Sequence, residues 1–224
     1  MKVRAASDQA ILAYLGEEIG QAAHERVLKL LRLLQQEPPR WIRNVQPAYC
    51  SLLVNFDISL ADHVEVEETI RSYEQRTEKH RAPKASTVEI PVCYGGEFGP
   101  DLDEVAAVHG LKPAQVIEVH SSETYHAYFL GFAPGFAYLG DLPAAIATPR
   151  LSSPRKRVPA GSVGIAGRQT AVYPMATPGA WRLLGRTPLR MFRADRKMMG
   201  LISIGDQVRF RPITNREFGE LERG

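Results

Sequence analysis

Apolar positions change their period several times along the chain, and each change predicts an element. Ile11 to Leu15 is a short continuous apolar run, which suits a buried strand. Ile19, Ala23, Val27, Leu30, Leu31 and Leu34 then fall on one helical stripe, and Pro38 and Pro39 stop that helix. Trp41 to Val45 and Ser51 to Phe56 read as strands separated by Pro47. A second helix is expected from Leu60 or Ala61 to about Arg76, with Val64, Ile70 and Tyr73 inward. This β-α-β-β-α order predicts a small α/β sandwich with its helices on one face.

The charged stretch Glu78 to Ser86 contains Pro83 and is the expected boundary, dividing the chain into residues 1–83 and 84–224. Beyond it Thr87 to Tyr94 reads as a strand entering a Gly95-Gly96 turn. Asp101 and Glu104 have the spacing of a capping box opening a short helix that Gly110 closes, and Lys112-Pro113 starts another through about Val119. After that β character dominates: Tyr125 to Phe132, Ser162 to Ala166, Thr170 to Tyr173, Trp181 to Arg186 and Gln207 to Phe210, with turns rich in Gly and Pro. Short strands so punctuated suggest a barrel or sandwich, making the whole chain α+β.

Composition narrows the classes without choosing one. The 224 residues are 44% hydrophobic and 24% charged, an ordinary globular balance. Asp8, Glu17 and Glu18 interrupt any secretory core, and no apolar run is long enough to span a bilayer, so a cytoplasmic protein is expected. Cys50 and Cys93 lie far apart with no second metal-ligand pair, which suits two reduced thiols and leaves no evident metal site. The net charge of +3 is uneven: no acid lies between Asp141 and Asp195, while Arg150, Arg155, Lys156, Arg157, Arg168, Arg182, Arg186, Arg190 and Arg193 do. That window favours anionic ligands.

Familiar catalytic motifs fail when tested. The run Gly161 to Thr170 has P-loop flavour, but its second glycine is one place late, Arg168 replaces the lysine, and strands are expected on both sides. Ala160 occupies the first position of what would be a Gly-x-Ser-x-Gly elbow around Ser162. The histidines show no HExxH, and His120 and His126 are expected at the surface or as caps. No nucleic-acid-binding motif occurs.

One long string remains: YFLGFAPGFAYLG from Tyr128 to Gly140, Pro149-Arg150, PRKRVPAGSVGIAG from Pro154 to Gly167, Gln169-Thr170, Tyr173-Pro174, TPGAW from Thr177 to Trp181, and LGRTP from Leu184 to Pro188. This closely resembles the allophanate hydrolase subunit 1 family, which includes 5-oxoprolinase subunits of the PxpB type and KipI-type inhibitors of a sporulation kinase. Ala180 and Asp141 depart from it, each where glycine is frequent. The resemblance implies a small N-terminal α/β domain followed by a C-terminal cyclophilin-like β-barrel of the carboxyltransferase subdomain C/D type. It implies partners: a subunit 2 chain of the PxpC/KipA type and a LamB/YcsF-type (PxpA-like) chain. It also implies an ATP-dependent opening of the lactam of 5-oxo-L-proline to L-glutamate, with ATP bound somewhere in the complex. Inhibition of a histidine kinase, and half of a biotin-dependent urea or amide carboxyltransferase, are the alternatives.

The candidate ligand contacts follow from that substrate's chemistry. Arg157 above all, with Arg155 and Arg186, would hold carboxylate or phosphoryl oxygens. Gln169 would hydrogen-bond the lactam, and Phe136, Tyr173 and Trp181 would wall the pocket. Gly161 and Gly164 would offer N–H donors beside Ser162. No catalytic residue is assigned. A pocket shared with a partner would leave apolar surface near Phe132 to Leu139, open to a partner or to self-association.

Overall fold

The computed structural model describes residues 1–79, 85–195 and 199–223. Two compact units emerge, Met1–Ala85 and Ser86–Gly224. The expected division between residues 83 and 84 lies outside the described residues.

The first unit is built from β1 (Lys2–Ser7), β2 (Ala10–Tyr14), α1 (Gln21–Gln36), β3 (Ile42–Pro47), β4 (Ser51–Phe56) and α2 (His63–Arg76). They form an antiparallel sheet in the order β1-β2-β4-β3 with two helices. Ile11, Ala13, Leu52 and Val54 are buried on paired strands, and α1 buries Val27, Leu30, Leu31 and Leu34. Three details differ from the pattern reading. The strand β1 is not foreshadowed by the pattern, because its residues are nearly all exposed and carry no apolar run. Ile19 lies before the helix and is exposed. In α2 the Asp62 carboxylate accepts from Val64 N at 2.8 Å and Glu65 N at 2.9 Å, while Glu65 accepts from Asp62 N at 3.0 Å. That capping box starts the helix at His63, later than expected; Ile70 is buried as expected and Val66 with it, while Tyr73 is half-buried and Val64, in the first turn, is exposed. Pro47 ends an edge strand, where its missing N–H costs nothing.

The second unit holds β5 (Thr87–Tyr94), α3 (Leu102–Val108), α4 (Pro113–Ser122), β6 (Tyr125–Leu130), β7 (Ala137–Gly140), β8 (Arg155–Val158), β9 (Ser162–Ala166), β10 (Gln169–Val172), β11 (Thr177–Gly179), β12 (Arg182–Arg186), β13 (Gln207–Pro212) and α5 (Asn215–Arg223). Seven strands close a barrel in the order β10-β7-β6-β13-β5-β12-β9, and β8 pairs with β11 as a separate ribbon. The α+β class with a closed barrel is as expected. Ile90, Val92, Tyr125, Ala127, Leu139, Val163, Ile165, Val172, Leu184, Val208 and Phe210 fill one core with Val105 of α3 and Val116 of α4. The short strands β7, β8 and β11 carry too few residues to show a period in sequence.

Candidate functional site

A second cluster is distinct from that core. Phe136, Val158, Ala166, Ala171, Tyr173, Trp181 and Leu183 are buried together, with Tyr138 and Ala133 packed against them. Strand alternation fixes where it sits. Thr170 and Val172 of β10 point into the core, so Ala171 points to the outer face. The same holds for Ala166 beside Ile165 on β9. The aromatic rings therefore pack on the outside of the barrel wall, with Val158 of the ribbon against them.

The ring geometry is edge-to-face throughout. Phe136 lies 5.4 Å from Tyr173, 5.7 Å from Trp181 and 4.8 Å from Tyr138, at interplanar angles of 82°, 83° and 63°. Phe132 extends the cluster outward at 5.2 Å from Phe136 and 6.3 Å from Tyr173. It is 61% exposed and has φ 68°, a left-handed backbone that a bulky residue rarely adopts. The Arg150 guanidinium stands 5.9 Å from the Trp181 ring centroid. Burial pushes the Tyr173 hydroxyl up, while a hydrogen bond with the Trp181 backbone and the Arg150 and Arg155 cations pull it back. Burial also raises Tyr138, against Arg150. The cluster thus combines apolar walls, two phenols and a cation, a set suited to a small ring-bearing anion.

The candidate residues divide around this cluster. Phe136, Tyr173 and Trp181 are its centre. Gln169 shares the outer face of β10 with Ala171, and is half-buried. Gly164 lies between β10 and β12, and a Cβ there would stand 3.2 Å from the Trp181 Cβ. Its role is to let the indole lie against the wall. Gly161 has φ 79°; its N–H donates to Tyr173 O at 2.7 Å and its carbonyl accepts from Thr187 N at 2.9 Å. Ser162, 2% exposed, accepts from Tyr173 N at 2.9 Å through its carbonyl. Gly161 and Ser162 thus anchor Tyr173, and the Gly161 N–H is already donated within the fold.

The arginines behave differently from one another. Arg155 donates to Asp101 Oδ1 at 2.5 Å and to Trp181 O at 3.2 Å. Asp101, 5% exposed, also accepts from Leu183 N at 2.6 Å. Asp101 precedes α3 as expected, but its carboxylate makes this cross-barrel strut and no cap bond. Arg186 stacks 4.7 Å over Phe98 and 5.9 Å from Phe218. Arg157 is exposed on β8, forms no ion pair among the described residues, and by alternation leaves the strand opposite to Val158. Arg150, absent from the candidates, is the cation that meets the rings. Its nearest sequence signal is the Pro149-Arg150 pair.

The histidine expectation needs correction at His120. It is fully buried in the barrel, stacked 4.6 Å from Phe210. Its Nδ1 meets the Tyr94 hydroxyl at 2.7 Å and its Nε2 meets Thr170 Oγ1 at 2.9 Å, and Thr170 donates onward to Gly164 O at 3.1 Å. Because the Thr170 proton goes to a carbonyl, Nε2 carries the ring proton and Nδ1 accepts from Tyr94. Burial lowers the His120 pKa to about 3, so the ring is a neutral structural link. His126 is half-buried; burial lowers it while Asp141 and Asp206 raise it. The segment Gly161 to Thr170 includes β9 and the start of β10, paired antiparallel, so it makes no phosphate cradle. Among the described residues no group of three or more His, Cys, Asp or Glu is placed to hold a metal, and no helix is long and apolar enough to cross a membrane.

Comparison with known proteins settles the lineage. Residues 1–202 match the family described as carboxyltransferase domain, subdomain C and D. The chain belongs to that family. Within it, the B-type 5-oxoprolinase subunit of Bacillus subtilis is 42% identical over 94% of this chain and 92% of its own. The Escherichia coli O157:H7 protein of the same name is 56% identical over 58% of this chain and 60% of its own. The expected PxpB/KipI-like kinship is thereby borne out. A conserved uncharacterized protein from Pyrococcus horikoshii, known as a crystal structure, is 46% identical over 97% of this chain and all of its own, with a TM-score of 0.59. The crystallised protein TTHA0988 is 33% identical with a TM-score of 0.81, and there this chain spans only 40% of the longer polypeptide. Kluyveromyces lactis urea carboxylase, at 20% identity and a TM-score of 0.76, shares the fold across 97% of this chain and 22% of its own. For this carboxyltransferase-family chain, the fold and family are therefore fixed independently of its chemistry.

Proposed function

We propose that the chain is a non-autonomous subunit of an ATP-dependent 5-oxoprolinase complex, which opens the lactam of 5-oxo-L-proline to L-glutamate. The observation that carries this reading is the near full-length 42% identity to a B-type 5-oxoprolinase subunit. The aromatic cluster supports it. On this reading the substrate lies at the rim of the cluster, its carboxylate drawn to Arg150 and its amide to Gln169. The phenols of Tyr138 and Tyr173 stay protonated in this setting and act as donors.

The chain's own residues bind and orient on this reading, and other chains supply the rest. Opening an unactivated lactam requires phosphoryl transfer from ATP and delivery of water. Neither role has an owner here: His120 is locked as a neutral link, and the glycine-rich segment is a β-hairpin. The subunit 2-type and LamB/YcsF-type chains are the proposed partners, and nucleotide handling falls to them. The test is glutamate release from 5-oxoproline and ATP by the chain alone and with both partners. Turnover only in the full mixture is expected. In that mixture Arg150→Ala should raise KM at least tenfold, and Arg157→Ala should change it less. Turnover by the lone chain would refute the non-autonomous reading. An inactive, well-folded mixture would refute the assignment, and inhibition of a sensor histidine kinase would then take its place.

A further inference from the structure

We infer that Thr177 is a ligand-binding residue of the aromatic site, its hydroxyl donating to the carbonyl oxygen of a small cyclic amide. The inference rests on the proposed function and names, for that site, the side chain that reads the carbonyl.

An unmet hydrogen bond is the first observation. The Thr177 Oγ1 is shielded from solvent and has no hydrogen-bond partner among the described residues. Other buried threonines in this unit are treated differently. Thr170 bridges His120 Nε2 and Gly164 O, Thr148 bonds Ile146 O and His109 Nε2, and Thr187 accepts from Leu189 N. A buried hydroxyl without a partner destabilises a fold, and a valine of nearly the same shape would suit this strand position without that cost. Thr177 therefore carries a group for which the folded chain alone has no use.

Placement is the second. Thr177 of β11 stands directly opposite Val158 of β8, so the two side chains leave the ribbon on one face. Val158 packs there into the cluster with Tyr173 and Trp181. Gly179, two residues beyond Thr177, shares that face, and a Cβ on it would stand 2.5 Å from the Tyr173 hydroxyl oxygen. The Tyr173 phenol thus lies against β11, about 6–7 Å along the strand from Thr177. The Trp181 N–H donates to the phenol oxygen and leaves the phenol proton for another acceptor. Two hydroxyls therefore line one face of the ribbon against an otherwise apolar cluster. Thr177 as a whole is half-buried, so its hydroxyl lies just below the surface, and a turn about χ1 presents it to a ligand seated there.

Chemistry selects the group that Thr177 reads. A neutral hydroxyl among aromatic rings suits a neutral acceptor, because a carboxylate drawn into that setting would lack a counter-charge. The cation of the cluster, Arg150, stands at the Trp181 ring and on the proposed reading takes the carboxylate. The amide carbonyl is the acceptor that remains. A site that hydrogen-bonds such a group discriminates against an analogue that lacks it.

The test uses Thr177→Val and Thr177→Ser in the full mixture of the three chains. The substrate is 5-oxoproline, and the competitive inhibitor is cyclopentanecarboxylate, which keeps the ring and the carboxylate and lacks the carbonyl. Thermal unfolding is followed on the isolated chain. Thr177→Val is expected to melt at or above the parent temperature and to raise KM for 5-oxoproline about tenfold. Its inhibition constant for cyclopentanecarboxylate should stay within about twofold of the parent's, because that ligand makes no bond to the hydroxyl. Thr177→Ser keeps the hydroxyl and should hold KM within about threefold. A Thr177→Val chain that melts several degrees lower would show the hydroxyl to be held by ordered water as part of the fold, and would overturn the inference. So would an unchanged KM, or a rise in KM matched by an equal rise in the inhibition constant. In each of these cases turnover by the parent mixture leaves the proposed function standing, whereas a parent mixture without turnover removes both.

Discussion

Removing the Asp101 carboxylate should detach Trp181 from its support. In the native fold Asp101 accepts from Arg155 at 2.5 Å and from Leu183 N at 2.6 Å, and its own N–H donates to Leu183 O at 3.1 Å. Arg155 carries the restraint onward to Trp181 O. In Asp101→Ala the Leu183 N–H is left buried without a partner, and the Arg155 side chain, 27% exposed, keeps its charge with no counter-ion. Breaking a buried ion pair costs about 3–5 kcal/mol, and partial access of Arg155 to water places this one near 3. For a unit of this size that corresponds to a fall in Tm of roughly 6–12 °C. Asp101→Asn keeps an acceptor for Leu183 N and should lose roughly half as much. The double variant Asp101→Ala, Arg155→Met should recover part of the loss, since no orphaned cation remains. Denaturant unfolding with Trp fluorescence measures all of these. A loss below about 1 kcal/mol for Asp101→Ala would refute the strut. So would an Arg155→Met variant of full stability that no longer binds substrate in the complex, because Arg155 would then be a ligand contact.

Two further outcomes follow from buried groups. His120 has its folded pKa depressed to about 3, so its contribution to stability is complete above the unfolded value near 6.5 and is lost as pH falls from there towards 3; an NMR titration showing the ring protonate near pH 6 would contradict this. Cys93 is 2% exposed, donates to Asn215 Oδ1 at 2.9 Å, and has its thiol pushed up by burial, so a thiol reagent should modify Cys50 well before Cys93, and a Cys50→Ser, Cys93→Ser variant should keep complex turnover; loss of turnover in that folded variant would assign chemistry to a thiol.

Legibility of the fold in the sequence follows how much apolar surface each element buries. The strands β4 and β9 bury most of their residues and β5 buries half, and their runs place them to the residue. The strand β1 buries almost nothing, being specified by pairing to β2, and pairing leaves no apolar trace. On α2 periodicity finds Ile70 correctly but misplaces Val64, which falls in the first turn that the Asp62 carboxylate caps and stays exposed. Both failures concern specification by hydrogen bonds, and periodicity records burial only.

The direction in which the candidate site's side chains point is obscure in the sequence, and the contrast between Arg157 and Gln169 explains why. Both sit in the same motif string and both suit an anionic lactam, so composition ranks them equally. What separates them is the face from which each side chain leaves its strand. On β10, Thr170 and Val172 are buried inside the barrel, so Gln169 must share the outer face with Ala171 and the aromatic rings. On β8 the buried neighbour is Val158, and Arg157 must face away from it. With four residues, three of them cationic, β8 shows no alternation from which that could be read. Arg155 is obscure for another reason: its counter-ion lies 54 positions earlier, and nothing local distinguishes a paired arginine from a free one. A charged window therefore overstates its own field. Arg155, Arg182 and Arg193 are neutralised by Asp101, Glu104 and Asp195, and the field left for a ligand or partner belongs to the remainder, among which Arg150 is set against the rings.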